Sequence, residues 1–456
     1  MAEKEPLLPA EKGEKADNND DRSPARVALA YETAFDWSNP TTWPLSLQFA
    51  PIAMALVAIA IGIYWNHFMS DEGFDTSSVV ACRSTFNHTY YINAARRQAE
   101  TDSKSAFELG LATTAIGELI DPEKTVFGLA PFPGGKIAGQ ALKMDQALLW
   151  MYQKIRITGE TLFDDDVSGT QPAALGVAAV MIGQKHTAWV EAAENQVSFL
   201  LNKAPRLANG AISHLLSGLE VRAEDIYALP TFLAYYAVQA NDTALATEAV
   251  RQISLYRDLL RINSGPAKGL WKHISSPSAN PDDRAWSTAN ALAAYGILRT
   301  RASLSSWALT KTTFNTSITK LDTWLAELLN TAIHLAPPSG LIQNYLNDPT
   351  SLPETAGTAL WAATIYRLAV SQPETYNTTT YLAWADDKRA AVIAHSDDDG
   401  WLRPAADPAK LMSGQGVVVD GEDTSAVAQG SLLHLSSAWR DCVCAGVCAL
   451  PVEVSN

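Results

Sequence analysis

From about residue 104 onward the chain repeats apolar positions at a helical period. Ile318, Leu321, Leu325, Leu328 and Ala332 follow one another at steps of three or four residues and share one face of a 3.6-residue helix. Segments near 104–120, 139–156, 172–183, 187–202, 225–239, 243–261, 286–301, 318–334, 355–370, 379–394 and 423–441 are predicted helices. Gly and Pro mark the joints, as at Gly265-Pro266, Pro337-Pro338-Ser339-Gly340, Pro349, Pro353 and Gly400. Strand-like alternation is sparse. About eleven or twelve helices, with connections alternately short and long, predict paired hairpins stacked around a common centre. No short helical repeat is present, so an open solenoid is the poorer reading.

The pattern before residue 104 is different. Pro44 to Trp65 is a run of 22 residues without a charge, flanked by Trp43, Tyr64 and Trp65. About 20 apolar residues cross a bilayer as a helix, with aromatic residues at the interfaces. A core helix or the centre of a cleaved signal peptide would also be apolar. A signal peptide fits less well, because 43 mostly polar residues precede the run and no clear small-residue cleavage site follows it. Residues 44–65 are therefore read as a transmembrane signal anchor. Arg22 and Arg26 precede it, whereas Asn66 to Glu72 contain no Lys or Arg, so the N-terminus is expected in the cytosol. The sequons at Asn87, Asn241, Asn315 and Asn377 all follow the run, as do Cys82, Cys442, Cys444 and Cys448. The expected arrangement is a type II membrane protein of the secretory pathway or cell surface. It has a disordered cytosolic tail at 1–43, the anchor at 44–65, a lumenal stem at 66–103 and a helical domain at 104–456. The tail holds five Lys/Arg and nine Asp/Glu with few large apolar groups, too little to bury a core.

Composition then narrows the function classes. The chain has 456 residues, is 47% hydrophobic and carries a net charge of -15. That balance argues against a nucleic-acid partner. Four cysteines match no zinc spacing, and GxGxxG, P-loop and HExxH motifs are absent, so no cofactor and no metal are expected. Gly430-Ser431-Leu432 falls inside a predicted helix and lacks the second Gly of a nucleophile elbow.

Particular residues carry a resemblance. Asn209-Gly-Ala-Ile-Ser-His214 is followed by Val221-Arg-Ala-Glu-Asp225-Ile-Tyr227-Ala-Leu-Pro230. Gly269-Leu-Trp-Lys272-His273, Trp286-Ser-Thr-Ala-Asn290, Gly340-Leu-Ile-Gln-Asn-Tyr345, Glu354-Thr-Ala-Gly-Thr-Ala359, Asp399-Gly-Trp-Leu-Arg-Pro404 and Ser436-Ser-Ala-Trp-Arg-Asp441 come after it in order. Together these blocks resemble the six-hairpin glycosidases, with glycoside hydrolase families 88 and 105, the unsaturated glucuronyl and rhamnogalacturonyl hydrolases, most similar. The resemblance covers roughly 140 to 441. It implies an all-α, (α/α)6 six-hairpin toroid and a membrane-anchored hydrolase acting on an oligosaccharide or polysaccharide. In that family a carboxylic acid protonates C4 of a 4,5-unsaturated uronic acid, water adds at C5, and the hemiketal falls apart.

Asp225, eleven residues after His214 as in the family, is the implied acid, and His214 would orient it or bind substrate. Asp225 also opens an apolar helix, where Asp is a common cap. Tyr227 and Trp286 are candidate stacking faces, Lys272 and His273 candidate cations for a uronate, and Asn290 a candidate hydrogen-bonding partner for sugar hydroxyls. Each has a plainer use as a core, loop or buried polar residue. The family's second carboxylate, expected before the small-residue run at Ala173, is replaced by Gly169-Thr170-Gln171-Pro172, with Asp164-Asp165-Asp166 upstream. A toroid that only binds glycans or partners, and an ordinary two-carboxylate glycosidase, are therefore the alternatives. Because a closed toroid joins first and last helices, Cys82 is expected to pair with one of the three late cysteines, leaving the other two for a local bond.

Overall fold

The computed structural model describes residues 76–86, 90–139, 145–164, 167–277, 280–406, 418–419 and 424–450. The predicted tail and anchor lie outside these residues. Among the described residues no helix is long and apolar enough to cross a membrane.

Residues from Thr76 onward form one compact unit. Its helices are α1 Thr76–Thr85, α2 Tyr90–Asp102, α3 Ala106–Ile120, α4 Gln146–Met151, α5 Gly176–Gly183 and α6 Thr187–Asn202. They continue as α7 Asp225–Ala240, α8 Thr243–Leu260, α9 Ser287–Ser306, α10 Asn315–Leu335, α11 Thr355–Ser371, α12 Pro373–Tyr376, α13 Thr379–Ala394 and α14 Ala426–Cys444. A 3-10 turn, Gln171–Leu175, leads into α5. The inner ring is α3, α5 with its turn, α7, α9, α11 and α14. Each packs on the next, and α14 returns to α3, so the ring is closed. Helices α2, α4, α6, α8, α10 and α13 lie outside it. This is the six-hairpin toroid.

The sequence explains which helices are inside. α9 and α11 are buried along almost their whole circumference, α9 with Ser287, Thr288, Asn290 and Thr300 buried among its small apolar residues. α10 is amphipathic and buries Leu321, Leu325, Leu328 and Ala332, the face that its spacing marked. Small residues let the inner helices approach. A Cβ at Gly110 would lie 2.5 Å from Ala174, and one at Gly296 would overlap the Ile226 carbonyl. That carbonyl is available because Pro230, inside α7, has no N–H to give it.

The stretch expected as a stem contains α1 and α2, and both pack on α14. Cys82 of α1 is bonded to Cys444, and Cys442 to Cys448, the expected closure plus a local bond. Three two-residue ribbons connect the hairpins: β1 Val221–Arg222 with β2 Ile274–Ser275, β3 Ile342–Gln343 with β4 Pro353–Glu354, and β5 Ala405–Ala406 with β6 Val418–Val419.

From the middle of the inner helices toward their C-terminal ends a buried charge network occupies the ring. Glu118 Oε2 accepts from Tyr295 Oη at 2.6 Å and Arg367 Nη2 at 3.1 Å, and lies 3.0 Å from His434 Nδ1. Burial pushes its carboxyl up, but His434, Arg367 and Arg299 outweigh burial and hold it at about 2. Arg440 donates to the Glu118 and Leu119 carbonyls at the end of α3, which have no helical partner of their own.

Candidate functional site at the N-terminal ends of the inner helices

Asp225 is the first residue of α7 and is 1% exposed. The β1–β2 ribbon fixes the chain before it: Arg222 pairs with Ile274, and the Ala223 N–H donates to the His273 carbonyl at 3.0 Å. The carboxylate turns back so that Oδ2 accepts the Arg222 N–H at 3.3 Å.

A second loop brings His214 to it. Asn209 Oδ1 accepts the Ala211 N–H at 3.0 Å, and Gly210 takes φ +94, which an L side chain rarely adopts. The His214 N–H donates to the Glu220 carbonyl at 2.6 Å. His214 Nδ1 then lies 2.9 Å from Asp225 Oδ1. The eleven-residue spacing read in the sequence is a contact in space.

The third partner is Thr170. The Gly169 N–H donates to the His214 carbonyl at 2.8 Å, which seats the 168–170 loop beside the pair. The Thr170 hydroxyl donates to Asp225 Oδ1 at 2.8 Å and lies 3.4 Å from His214 Nδ1. Position 170, where a second carboxylate was expected, thus faces Asp225 directly with a neutral hydroxyl. Asp164 does not replace it: its side chain is 93% exposed and pairs with Arg156 at 2.7 Å. Asp165 and Asp166 lie outside the described residues.

A second carboxylate stands one residue away. Glu224 Oε1 is 3.5 Å from His273 Nε2, and His273 Nδ1 is 3.1 Å from Asp282 Oδ2. Arg284 holds Asp282 in turn, through Nε at 2.8 Å and Nη2 at 3.0 Å. Burial favours a neutral imidazole, but carboxylates at both nitrogens outweigh it and raise the His273 pKa. Burial likewise pushes Glu224 up, while His273 and then Arg222 hold it below its ordinary value. The Trp286 ring stands edge-on to His273 with centroids 4.8 Å apart.

The remaining sequence candidates make contacts of other kinds. Lys272 is half-buried and pairs with Asp283 at 2.5 Å. Asn290 holds both backbone groups of Trp271, accepting its N–H and donating to its carbonyl, each at 2.8 Å. Tyr227 points into the ring centre, where its hydroxyl is 2.8 Å from His434 Nε2 and Phe107 meets its ring edge-on at 5.8 Å. The Trp286 indole is 1% exposed and donates to Asn344 Oδ1 at 2.8 Å. Asp225, His214, His273 and Trp286 are thus gathered at the mouth of α7 and α9, while Tyr227 and Asn290 serve the packing beneath.

Sequence reasoning did not single out Thr170, Glu224 and Asp282, nor the catalytic potential of Glu354. Glu354 caps α11: its Oε1 accepts the Gly357 N–H at 2.8 Å and the Thr288 hydroxyl at 3.1 Å. Its other oxygen is buried without a partner, and burial raises the carboxyl to about 7. The acid pair Glu224-Asp225 was visible in the sequence. The partner loops were not, because their contacts span about 45 to 60 positions of chain.

The comparisons agree with this geometry. The chain superimposes on a possible family 105 member from Klebsiella pneumoniae with a TM-score of 0.59 at 15% identity, covering 78% of this chain and 94% of that one. A family 105 glycoside hydrolase from C. acetobutylicum gives 0.57 at 12% identity, covering 77% and 99%. The unsaturated glucuronyl hydrolase of Bacillus sp. GL1, responsible for the degradation of glycosaminoglycan, gives 0.52 at 12% identity, covering 80% and 96%. At these identities they speak for the fold. No curated protein matches the chain. Residues 146–410, more than half of the chain and spanning every residue of the site just described, match the model of Glycosyl Hydrolase Family 88, and the chain belongs to that family.

Proposed function

We propose that this chain is a carbohydrate hydrolase that removes 4,5-unsaturated uronic acids from oligosaccharide ends, with the Asp225 carboxyl at the N-terminus of α7 supplying the proton. The observation that carries the reading is the Asp225–His214 pair, held at 2.9 Å on the first residue of an inner helix in a family 88 chain. In the reaction Asp225 delivers a proton to C4 and the C4–C5 double bond is consumed. Water adds at C5 and loses a proton, and the resulting hemiketal opens with release of the sugar beneath. One water is consumed in all. His214 orients the acid, and a cationic His273 suits the uronate carboxylate. The related glucuronyl hydrolase is the support for this substrate class.

The same proposal places the toroid in an oxidising compartment, tethered by residues 44–65. The charge-free run and the two disulfides support it, and Asn241, Asn315 and Asn377 are exposed. Incubation of the full-length protein with unsaturated and saturated oligouronides and with neutral glycans tests the activity. Loss of the ultraviolet absorbance of the double bond, matched by release of saturated sugar, is the expected result. Hydrolysis confined to neutral or saturated glycans would replace the reading with ordinary glycoside hydrolysis.

A further inference from the structure

We infer that Glu224, one residue before the proposed acid, is the second catalytic carboxylate of this site: its free oxygen takes the proton from the water that adds at C5. The inference rests on the hydrolysis proposed above and extends it to a residue outside that assignment.

Three observations lead to it. First, the place where a second carboxylate was expected is filled by Thr170, whose hydroxyl is given to Asp225. Any second acid–base group must come from elsewhere. Second, Glu224 Oε2 is buried with no hydrogen-bond partner, while both oxygens of Asp225 are engaged, by Thr170 and His214 at one and the Arg222 N–H at the other. A buried carboxylate oxygen without a donor is costly in a finished fold and calls for a ligand or water. Third, exposure separates Glu224 from the other two carboxylates with a free oxygen. Glu118 and Glu354 are both 0% exposed, whereas the Glu224 side chain is 11% exposed. Among the described residues it is the one of the three whose side chain is partly exposed, although Oε2 itself is buried.

The surroundings suit a base. His273 carries a carboxylate on each ring nitrogen, which fixes it as a double donor and keeps Glu224 ionised at neutral pH. The charged and titratable groups facing Glu224 are His273 from the 268–286 loop, Arg222 and Asp225 from its own segment, and Tyr256 from α8. Asp282 acts on it through His273. In the step, water loses a proton to Glu224 Oε2 as its oxygen bonds to C5, while C4 has gained one from Asp225. The two carboxyl groups then re-equilibrate their protons with solvent, and no other reactant is needed.

The test is kinetic and uses the full-length protein with an unsaturated oligouronide that the wild type consumes. Glu224→Gln should lower kcat by about 10²–10⁴, the range for a positioned acid or base, with KM little changed. His273→Gln should move the acid limb of kcat/KM to higher pH, because the cation that depresses Glu224 is gone. Asp282→Asn should move it less, in the same direction. These shifts do not depend on Glu224→Gln folding, and a merely structural Glu224 would not produce them. Wild-type kcat in a folded Glu224→Gln, or an unmoved acid limb in His273→Gln, would overturn the inference and leave the hydrolysis standing. A wild type that consumes no unsaturated oligouronide would instead remove the hydrolysis, and the inference with it.

Discussion

The two ends of the inner helix ring use the same side chains for opposite purposes. From the middle of the ring toward its C-terminal end, Glu118 meets His434, Tyr295 and Arg367, and the Tyr227 hydroxyl, reaching in from the first turn of α7, occupies the second nitrogen of that histidine. Arg367 and Arg83 converge on Asp441, and the Cys82–Cys444 bond ties α1 to the end of α14. At the N-terminal end, Asp225 meets His214 and Glu224 meets His273, but these carboxylates stand on loops and helix starts. One of their oxygens, Glu224 Oε2, is buried without a hydrogen-bond partner. A carboxylate–histidine pair is therefore not by itself a site. Enclosure by helices makes it scaffold, and the chemistry proposed above is assigned to the pairs that stand on loops and helix starts at the ring's mouth.

The sharpest way to break the comparison is to remove the scaffold's ties. Cys82→Ser opens a loop closed by residues 362 apart, which should cost about 6 kcal/mol in the chain-entropy description. Urea unfolding under oxidising conditions measures it, and an unchanged midpoint would show that the first and last helices hold without the bond. Glu118→Gln comes next. It leaves Arg367 and Arg299 facing a neutral amide in a buried centre, at about 3–5 kcal/mol for a broken buried pair. Below an ordinary carboxylate pKa the wild type should weaken too. The Glu118 contribution is present above about pH 4.5 and is lost as pH falls through about 2.

Glu354 tests the opposite sign. Its carboxyl is raised to about 7, so the folded state holds a proton that the unfolded state releases near 4.5. Stability should fall as pH rises between those values, by about 3 kcal/mol. Glu354→Gln should remove that slope, so it gains on the wild type at about pH 8 and not at about pH 4. Parallel pH–stability curves for the two proteins would show that Glu354 is ionised in the fold. The smallest effect is expected from Thr170→Val, which takes one donor from the Asp225 carboxylate at about 1.5–3 kcal/mol. Calorimetry would register it as a lower Tm.

Much of this architecture was legible in the sequence. Helices at 187–202 and 379–394 have the predicted bounds. α1 and α2 were hidden: α1 is rich in Ser, Thr and Val with little amphipathic pattern, and the buried stripe of α2, Ile92, Ala95 and Ala99, is short and made mostly of alanine. Of the site, Asp225 and His214 followed from the resemblance to the family's motif, whose eleven-residue spacing they share. Tyr227 did not behave as its neighbour does, since two residues along a helix turn a side chain to another face. Thr170, Asp282 and the free oxygen of Glu224 depend on which loops meet, and no local pattern records that.

The most direct test of the account is the turnover of an unsaturated oligouronide by the full-length wild type and by Asp225→Asn, with melting temperatures measured beside the rates. Asn keeps the size and most of the capping ability of Asp, so the fold should persist. The account predicts double-bond loss by the wild type, a fall of about 10²–10⁴ in the variant, and nearly equal melting temperatures. Equal rates in the two proteins would remove Asp225 from the chemistry and leave it as the cap of α7.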